Sequence, residues 1–290
     1  MFDRSVICLI RFFFVGAAWL VLPTLASAES PADQHVKVEL ISEQDAIVPH
    51  REIWLGIRFD LQDGWHTYWV NPGDSGEPPR IEWQLPEGFQ AGAILWPYPE
   101  RLSTPPFMDF GYEHQVLLIA AVQPSAALKE GVSQSFAARV HYLVCRDVCI
   151  PGQKQLELTL PVKRESRAVA GSDDQLFEVT RRRLPKPAPA SWKIMAASVS
   201  DDFVLNLIIG KVAGVPQFFP LEEEQLENAA PQTATRIPGG YRLHLKKSSH
   251  LLKPLSRLKG VLVVGGGKAY ALDVPVSQPS TDAHRQSMKN

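Results

Sequence analysis

The sequence predicts an all-β protein, with an antiparallel β-sandwich followed by a second, smaller β domain. Its 290 residues are enough for two domains of ordinary size, each with its own core. The chain has 24 prolines and 19 glycines, a balance that favours short strands joined by turns over long helices. Apolar side chains occupy every second position from Ile53 to Leu61, the period of a strand with one buried face.

The overall composition is that of a globular protein. Hydrophobic residues make up 45% of the chain and charged residues 21%, which differs from the composition of disordered chains. The formal net charge is −1 and the chain has no long basic run. We therefore expect no nucleic-acid partner, because phosphates call for clustered Lys and Arg.

The first 28 residues have the pattern of a secretory signal peptide. Arg4 and Arg11 give a positive start, and residues 12–22 form an uncharged, mostly apolar run of eleven. Residues 26–28 (ASA) are the small residues expected before a cleavage site. A membrane anchor, the alternative, needs about 20 apolar residues. We therefore expect export across the inner membrane to the periplasm, and a mature chain without a membrane span.

The predicted strands of the first domain, residues 29–165, are short and separated by Pro and Gly turns. Their positions are 36–40, 53–61, 65–70, 80–85, 93–96, 116–122, 136–144 and 156–160. Short strands broken by turn residues in this way are typical of an antiparallel sandwich.

Residues 166–191 are predicted to link the two domains. A short helix is predicted over residues 174–182, and the alternating prolines of residues 184–189 indicate a stiff, extended spacer. The second β domain is predicted over residues 192–277, and residues 278–290 are predicted to form a polar, flexible tail. The predicted strands of the second domain are 192–199, 203–209, 241–247, 260–264 and 269–276.

Two motifs resemble catalytic signatures, and the sequence argues against both. Residues 73–76 (GDSG) match the nucleophile signature of trypsin-like proteases, but His66 lies too near in sequence to be the base of that family. Residues 265–268 (GGGK) lack the first Gly and the Ser or Thr of a phosphate-binding loop. We interpret both segments as turns.

Cys145 and Cys149 are the most informative pair in the sequence. Cys8 leaves with the signal peptide, so the mature chain keeps two cysteines, four positions apart, in an oxidising compartment. In a regular strand their Cα atoms would lie roughly 13 Å apart, whereas a disulfide needs about 4.4–6.8 Å. If the two cysteines bond to each other, the chain must turn at Arg146-Asp147, which places the pair at a sheet end.

Three uses of this pair are open from the residues alone. A structural disulfide would stabilise the fold by only about 2 kcal/mol, because it closes so small a ring in the unfolded chain. A reversible dithiol fits better: Arg146 and a charged His141 would favour thiolate, while Asp147 opposes it. The pair could also hold Cu(I) with Met108 or His114, because soft ions prefer thiolates. A zinc site is not expected, since four ligands at recognisable spacing are absent from the sequence.

Four segments occur in an order that resembles a known family. They are residues 64–76 (GWHTYWVNPGDSG), 96–99 (WPYP), 110–113 (FGYE) and 145–151 (CRDVCIP). Together they resemble the N-terminal periplasmic domain of the DsbD family of transmembrane thiol–disulfide reductases. The closer likeness is to its ScsB-type branch, associated with suppression of copper sensitivity. The resemblance covers residues 33–162, and residues 192–276 are similar to the second β domain of that branch.

The resemblance implies an immunoglobulin-like first domain whose two cysteines cycle between dithiol and disulfide. In the family this domain takes electrons from a membrane-embedded domain and reduces periplasmic client oxidoreductases. By position, the resemblance implies that Cys149 forms the mixed disulfide with partners and that Cys145 resolves it. Residues 105–114 match the family's cap loop, with Phe110 and Tyr112 as candidates for its aromatic flap. Ordinary core packing is the alternative for both rings.

Two departures from the family affect the expected function. The best-known members place more residues between the cysteines, and we recognise neither a membrane electron-carrying domain nor a thioredoxin domain in these 290 residues. We therefore expect a separate membrane-embedded thiol reductase as the electron donor. The expected function is thiol–disulfide exchange without a metal or organic cofactor. The alternatives are a periplasmic copper-binding or copper-tolerance protein and a non-catalytic adaptor with a structural disulfide.

Overall fold

The computed structural model of the protein describes residues 30–124, 128–169, 172–212 and 214–278. The predicted signal peptide and all but the first residue of the predicted tail lie outside these residues. Within them, none of the helices is long and apolar enough to cross a membrane.

The first domain is an immunoglobulin-like antiparallel β-sandwich, as the sequence predicts. A 3-10 turn at Pro31–Gln34 precedes ten strands. One sheet has the order β1-β2-β8-β5, and the other has the order β10-β9-β3-β7-β6 with β4 paired to β9. The strands are β1 (Val36–Ser42), β2 (Ile53–Leu61), β3 (His66–Gly73), β4 (Arg80–Gln84), β5 (Gln90–Ala91), β6 (Glu100–Thr104), β7 (Phe107–Glu113), β8 (Gln115–Gln123), β9 (Ser133–Cys145) and β10 (Cys149–Pro161).

Two regions of this domain differ from the sequence prediction. The strand expected at 93–96 is replaced by the two-residue β5 and a single bridge between Leu95 and Ile119. No strand was predicted over residues 100–113, which form the β6–β7 hairpin; this hairpin turns at the cis Pro105-Pro106 bond. A Pro-Pro turn and a central Gly hid the alternating apolar pattern of this hairpin.

The predicted linker contains a helix, as the sequence predicts, and this helix packs on the first domain. Its helix α1 (Ser172–Arg183) places Leu176 and Phe177 against Leu117 and Ile119 on the outer face of β8. Arg181 of the helix also pairs with Glu43. These apolar contacts hold the helix to the sheet, because a helix is stabilised where one of its faces is buried.

The second domain is a β domain with one mostly antiparallel sheet. The sheet has the order β14-β17-β18-β12-β13-β16-β15, with the short β11 paired to β18. The strands β14 and β15 were not predicted. The strands are β11 (Lys186–Pro187), β12 (Lys193–Val199), β13 (Asp202–Ile208), β14 (Gln217–Pro220), β15 (Thr233–Ile237), β16 (Gly240–Lys246), β17 (Arg257–Val264) and β18 (Lys268–Ser277).

The two domains share part of one hydrophobic core. Phe219 of β14 is 1% exposed and belongs to the core cluster of the first domain, together with Val261. Its ring meets Trp69 and Phe110 edge-on, with centroid distances of 6.3 and 5.4 Å. The second domain therefore completes the core beside strands β3 and β7.

Candidate functional site

The two cysteines close the tip of the β9–β10 hairpin. Cys145 ends β9, Cys149 begins β10, and the two residues face each other in the ladder. They form a disulfide with a Cα–Cα distance of 4.1 Å, and the backbone N–H of Arg146 donates to the Val148 carbonyl within the turn. The turn at Arg146-Asp147 that the sequence predicts for a bonded pair is thus confirmed, at the end of a sheet.

The two sulfur-bearing residues differ in exposure. Cys145 is 2% exposed, whereas Cys149 lies at the surface. Val148, at the tip between them, is 63% exposed although it is apolar. Cys149 is therefore accessible from solvent, and an exposed apolar side chain lies beside it.

Cys145 points away from the sandwich core. Side chains alternate between the faces of a strand, and its neighbour Val144 belongs to the core cluster. On the opposite face, the Tyr68 hydroxyl donates to the Cys145 Sγ at 2.9 Å and lies 3.7 Å from the Cys149 Sγ. His66 faces Cys145 across the ladder, and its ring meets the Tyr68 ring edge-on at 5.3 Å.

A buried carboxylate lies behind Tyr68. Asp109 of β7 is 1% exposed and accepts from the backbone N–H and the hydroxyl of Ser75, at 3.0 and 2.9 Å. Burial raises the pKa of Asp109, and the Ser75 hydrogen bonds partly offset this. Burial, reinforced by the charge of Asp109, raises the pKa of Tyr68 to about 12. Tyr68 therefore keeps its proton at neutral pH and acts as a donor to the sulfur.

The segment that carries the protease-like signature is a structural loop over this tyrosine. Gly76 has φ +83° and lies directly on the Tyr68 ring, since a Cβ added at Gly76 would be 2.1 Å from the ring carbon Cζ. Ser75 is bound to Asp109 and serves as an anchor of the loop. Residues 265–267 likewise form the turn between β17 and β18, as predicted.

Arg146 and His141 were predicted to tune the thiolate, and their observed contacts are with residues other than the cysteines. Arg146 pairs with Asp147 at 2.9 Å, and its guanidinium lies 5.4 Å from the centre of the Trp65 ring. His141 has its Nε2 atom 3.9 Å from a carboxylate oxygen of Glu82. A tuning role for Arg146 or His141 remains a prediction.

Sequence reasoning missed Tyr68 as a neighbour of the sulfur atoms, and Asp109 and Ser75 as the bonded pair behind it. The period of two within residues 65–70 places His66 and Tyr68 on one face. Only the pairing of β3 with β9 shows that this face carries Cys145.

Phe110 and Tyr112 lie on the core face of β7. Both are at most 1% exposed and belong to the core cluster. Tyr68, which reaches the sulfur, faces Gly111 across the ladder, so the flanking Phe110 and Tyr112 point to the other side of the sheet. Tyr112 donates to the Pro97 carbonyl, at 2.7 Å. These positions match the core-packing alternative, and a flap role for either ring remains a prediction.

The residues considered as additional copper ligands also have other neighbours. His114 has its Nδ1 atom 3.5 Å from a carboxylate oxygen of Asp63, and Met108 packs against the first core. In the part of the chain that the structure describes, His, Cys, Asp and Glu form no group of three or more placed to hold a metal ion.

Comparison with known proteins shows which family model the first domain matches. Residues 37–161 match the family model "Thiol:disulfide interchange protein DsbD, N-terminal". No curated protein matches the chain in sequence.

Among solved structures, the chain is similar to the N-terminal periplasmic domain of ScsB from Proteus mirabilis. The TM-score is 0.61 at 15% identity, over 86% of this chain and 96% of that one, so the likeness in fold extends over both domains. The YadV chaperone matches with a TM-score of 0.22 at 9% identity, over 82% of this chain and 99% of that one. The pilin subunit BcpA of Bacillus cereus matches with a TM-score of 0.27 at 10% identity, over 83% and 69%. The last two scores are too low to carry an argument.

Proposed function

Because residues 37–161 form a DsbD N-terminal-like domain, we propose that the protein is a periplasmic thiol–disulfide exchange module. It relays electrons from a membrane-embedded thiol reductase to client oxidoreductases through Cys145 and Cys149. The observation that carries the proposal is the disulfide at the hairpin tip, with one buried and one exposed cysteine. Such a pair can form a covalent complex with a partner and then resolve it.

The exchange follows from this asymmetry. In the reduced protein, the Cys149 thiolate attacks a sulfur of the client disulfide; a Cys149–client bond forms, and the client's other sulfur leaves as a thiolate that takes a proton from solvent. The thiolate of Cys145 then attacks the Cys149 sulfur. The Cys145–Cys149 bond forms and the client's second thiolate leaves. The client gains two electrons and two protons, and the membrane reductase returns the protein to the dithiol by the reverse sequence.

The neighbours of Cys145 support its role as the resolving residue. A residue that is 2% exposed is shielded from client proteins but lies within reach of the adjacent Cys149. The Tyr68 hydroxyl at 2.9 Å stabilises negative charge on the Cys145 sulfur, because hydrogen bonds to ionised acceptors are roughly twice as strong as neutral ones. Charge forms on this sulfur whenever it attacks or leaves.

A matched pair of serine variants tests the assignment. The reduced Cys145→Ser protein should accumulate mixed disulfides with client proteins, because the residue that releases them is missing. The reduced Cys149→Ser protein should accumulate few, because its remaining thiol is buried. Equal trapping by both variants, or trapping by Cys149→Ser alone, would refute the assigned roles.

The reduction potential of the pair tests the function itself. We expect a value between about −120 and −270 mV, the range of known exchange proteins. A value well below about −300 mV is typical of a structural disulfide. Such a result would reject the exchange function and favour an adaptor with a structural bridge.

A further inference from the structure

The second domain binds the loop that lies over the redox centre. We call residues 71–76, which are the end of β3 and the segment that follows it, the clamp loop. The side-chain amide of Asn71, 1% exposed, donates to the carbonyls of Pro220 and Glu222 in the second domain, at 2.9 and 3.2 Å. The amide oxygen of Asn71 accepts from the Gly73 backbone N–H at 3.0 Å. Asn71 therefore shapes the loop and fastens it to the second domain at the same time.

A second contact between the domains lies three residues further along. Asn228 of the second domain donates through its Nδ2 atom to Asp74 at 2.9 Å, while the other oxygen of Asp74 accepts from the Met108 backbone N–H at 2.8 Å. Arg101 donates to the Asn228 carbonyl at 2.6 Å. The carboxylate of Asp74 is thus held between strand β7 and the second domain.

From Asp74 the contacts continue to the sulfur. Ser75 binds Asp109, Gly76 lies on the Tyr68 ring, and the Tyr68 hydroxyl donates to the Cys145 Sγ. Each step is a hydrogen bond or a close packing contact between neighbouring residues. The path joins Asn228, in the second domain, to the buried cysteine.

The first domain holds the later part of the clamp loop, through Asp109 and Met108, but its described residues supply no acceptor for the Asn71 amide group. The β3–β7 ladder pairs His66 to Tyr68 with β7, then shifts register and resumes at Gly73 opposite Asp109, so regular pairing is interrupted at Asn71. An amide as buried as that of Asn71 must find partners, because an unsatisfied buried donor is costly. Its two acceptors are carbonyl groups of the second domain.

We propose that the second domain is a positioning element of the redox centre: by holding Asn71 and Asp74 it keeps Tyr68 against the sulfur of Cys145. The inference rests on the proposed exchange function and gives the second domain a part in it. The Tyr68 hydrogen bond is stronger to a thiolate than to a disulfide sulfur, because the thiolate carries charge. Holding Tyr68 in place therefore favours the reduced protein.

Two variants remove contacts between the second domain and the clamp loop and leave the cysteines unchanged. Asn71→Asp keeps the acceptor for Gly73 but replaces the two donated bonds by repulsion between oxygen atoms. Asn228→Ala removes the donor to Asp74. Asn206→Ala is the matched control, because Asn206 is bonded to Arg242 inside the second domain. The two-domain mature protein is used throughout, and circular dichroism checks that each variant is folded.

The readout is the equilibrium constant for reduction by glutathione, measured by counting alkylated cysteines. We expect both clamp variants to shift this constant about tenfold toward the disulfide, or about 30 mV for a two-electron couple. Asn206→Ala should leave it unchanged. A loss of fold stability that is equal in the oxidised and reduced protein leaves this equilibrium constant unchanged, so the readout separates positioning from a structural role.

A double-mutant cycle with Tyr68→Phe tests the path directly. Tyr68→Phe removes the donor but keeps the ring, and it should produce a shift similar to that of the clamp variants. Adding Asn71→Asp to Tyr68→Phe should then cause little further change, because both changes act through one hydrogen bond. Additive shifts, or clamp variants with the wild-type constant, would overturn the inference and leave the exchange function intact. A wild-type protein that does not equilibrate with glutathione would overturn both.

Discussion

Phe219→Ala is the substitution that best tests whether the two domains share a core. Phe219 is 1% exposed, and its ring meets Trp69 and Phe110 of the first domain. Removal of a buried Phe side chain costs about 3–5 kcal/mol through lost transfer free energy and the remaining cavity. Each edge-on aromatic pair adds about 0.5–1.5 kcal/mol beyond the buried area. We therefore expect Phe219→Ala to lower the free energy of unfolding by about 5 kcal/mol, the upper end of the range for a buried Phe.

Phe203→Ala is the matched control. Phe203 is also 1% exposed, but it belongs to the core of the second domain alone. Both variants should lower the free energy of unfolding measured in urea. Amide hydrogen exchange then locates the effect: Phe219→Ala should speed exchange in β3 and β7 of the first domain, whereas Phe203→Ala should leave these strands protected. A cost below about 1 kcal/mol for Phe219→Ala, or unchanged exchange in β3 and β7, would refute the shared core.

Three further predictions concern the loop, the buried histidine and the linker helix. Gly76→Ala should destabilise the protein more than Gly131→Ala, because both glycines have positive φ but only Gly76 lies on a ring, that of Tyr68; calorimetry of the two variants measures the difference. Burial lowers the pKa of His66 below the ordinary 6.5, so the unfolded chain binds protons more readily and stability should fall as pH falls through 6.5. In His66→Gln that fall should be smaller, as urea titrations at several pH values would show. Phe177→Ala should cost about 3–5 kcal/mol and detach the linker helix, seen as faster amide exchange in α1.

Each of these predictions has a result that contradicts it. Equal costs for Gly76→Ala and Gly131→Ala would mean that only backbone strain matters at position 76. A pH dependence of stability unaffected by His66→Gln would show that this side chain is not the group that titrates. An α1 that stays protected in Phe177→Ala would mean that the remaining contacts of the helix, among them Leu176 and the ion pair of Arg181 with Glu43, suffice to hold it.

The fold was predictable where side-chain alternation was regular. Strands such as β2 and β9 carry a clear period of two, and the turn between the cysteines followed from the spacing needed for a disulfide. The β6–β7 hairpin was missed because Pro105, Pro106 and Gly111 interrupt its pattern. The short β14 was missed because Phe218 packs into the core of the second domain and Phe219 into that of the first, so its apolar residues do not alternate with polar ones.

The candidate site was predictable in part for a similar reason. The cysteines can be found from composition and spacing, but their neighbours depend on which strands are adjacent. Tyr68 reaches the sulfur through the pairing of β3 with β9, and Asp109 lies behind Tyr68 through the pairing of β3 with β7; both are long-range properties of the sheet. Phe110 and Tyr112 were matched to a flap by sequence position, whereas the face on which they lie is set by strand register.

The long β9–β10 ladder has a consequence for the speed of exchange. Cys145 and Cys149 are the last of thirteen facing pairs, so reduction breaks one bond while the strands that carry the two thiols stay side by side. The second thiol then acts as a tethered reactant of very high effective concentration, because little translational or rotational freedom is lost when it attacks. A mixed disulfide formed at Cys149 should therefore be short-lived, and the client should leave before competing thiols in solution can intercept the complex.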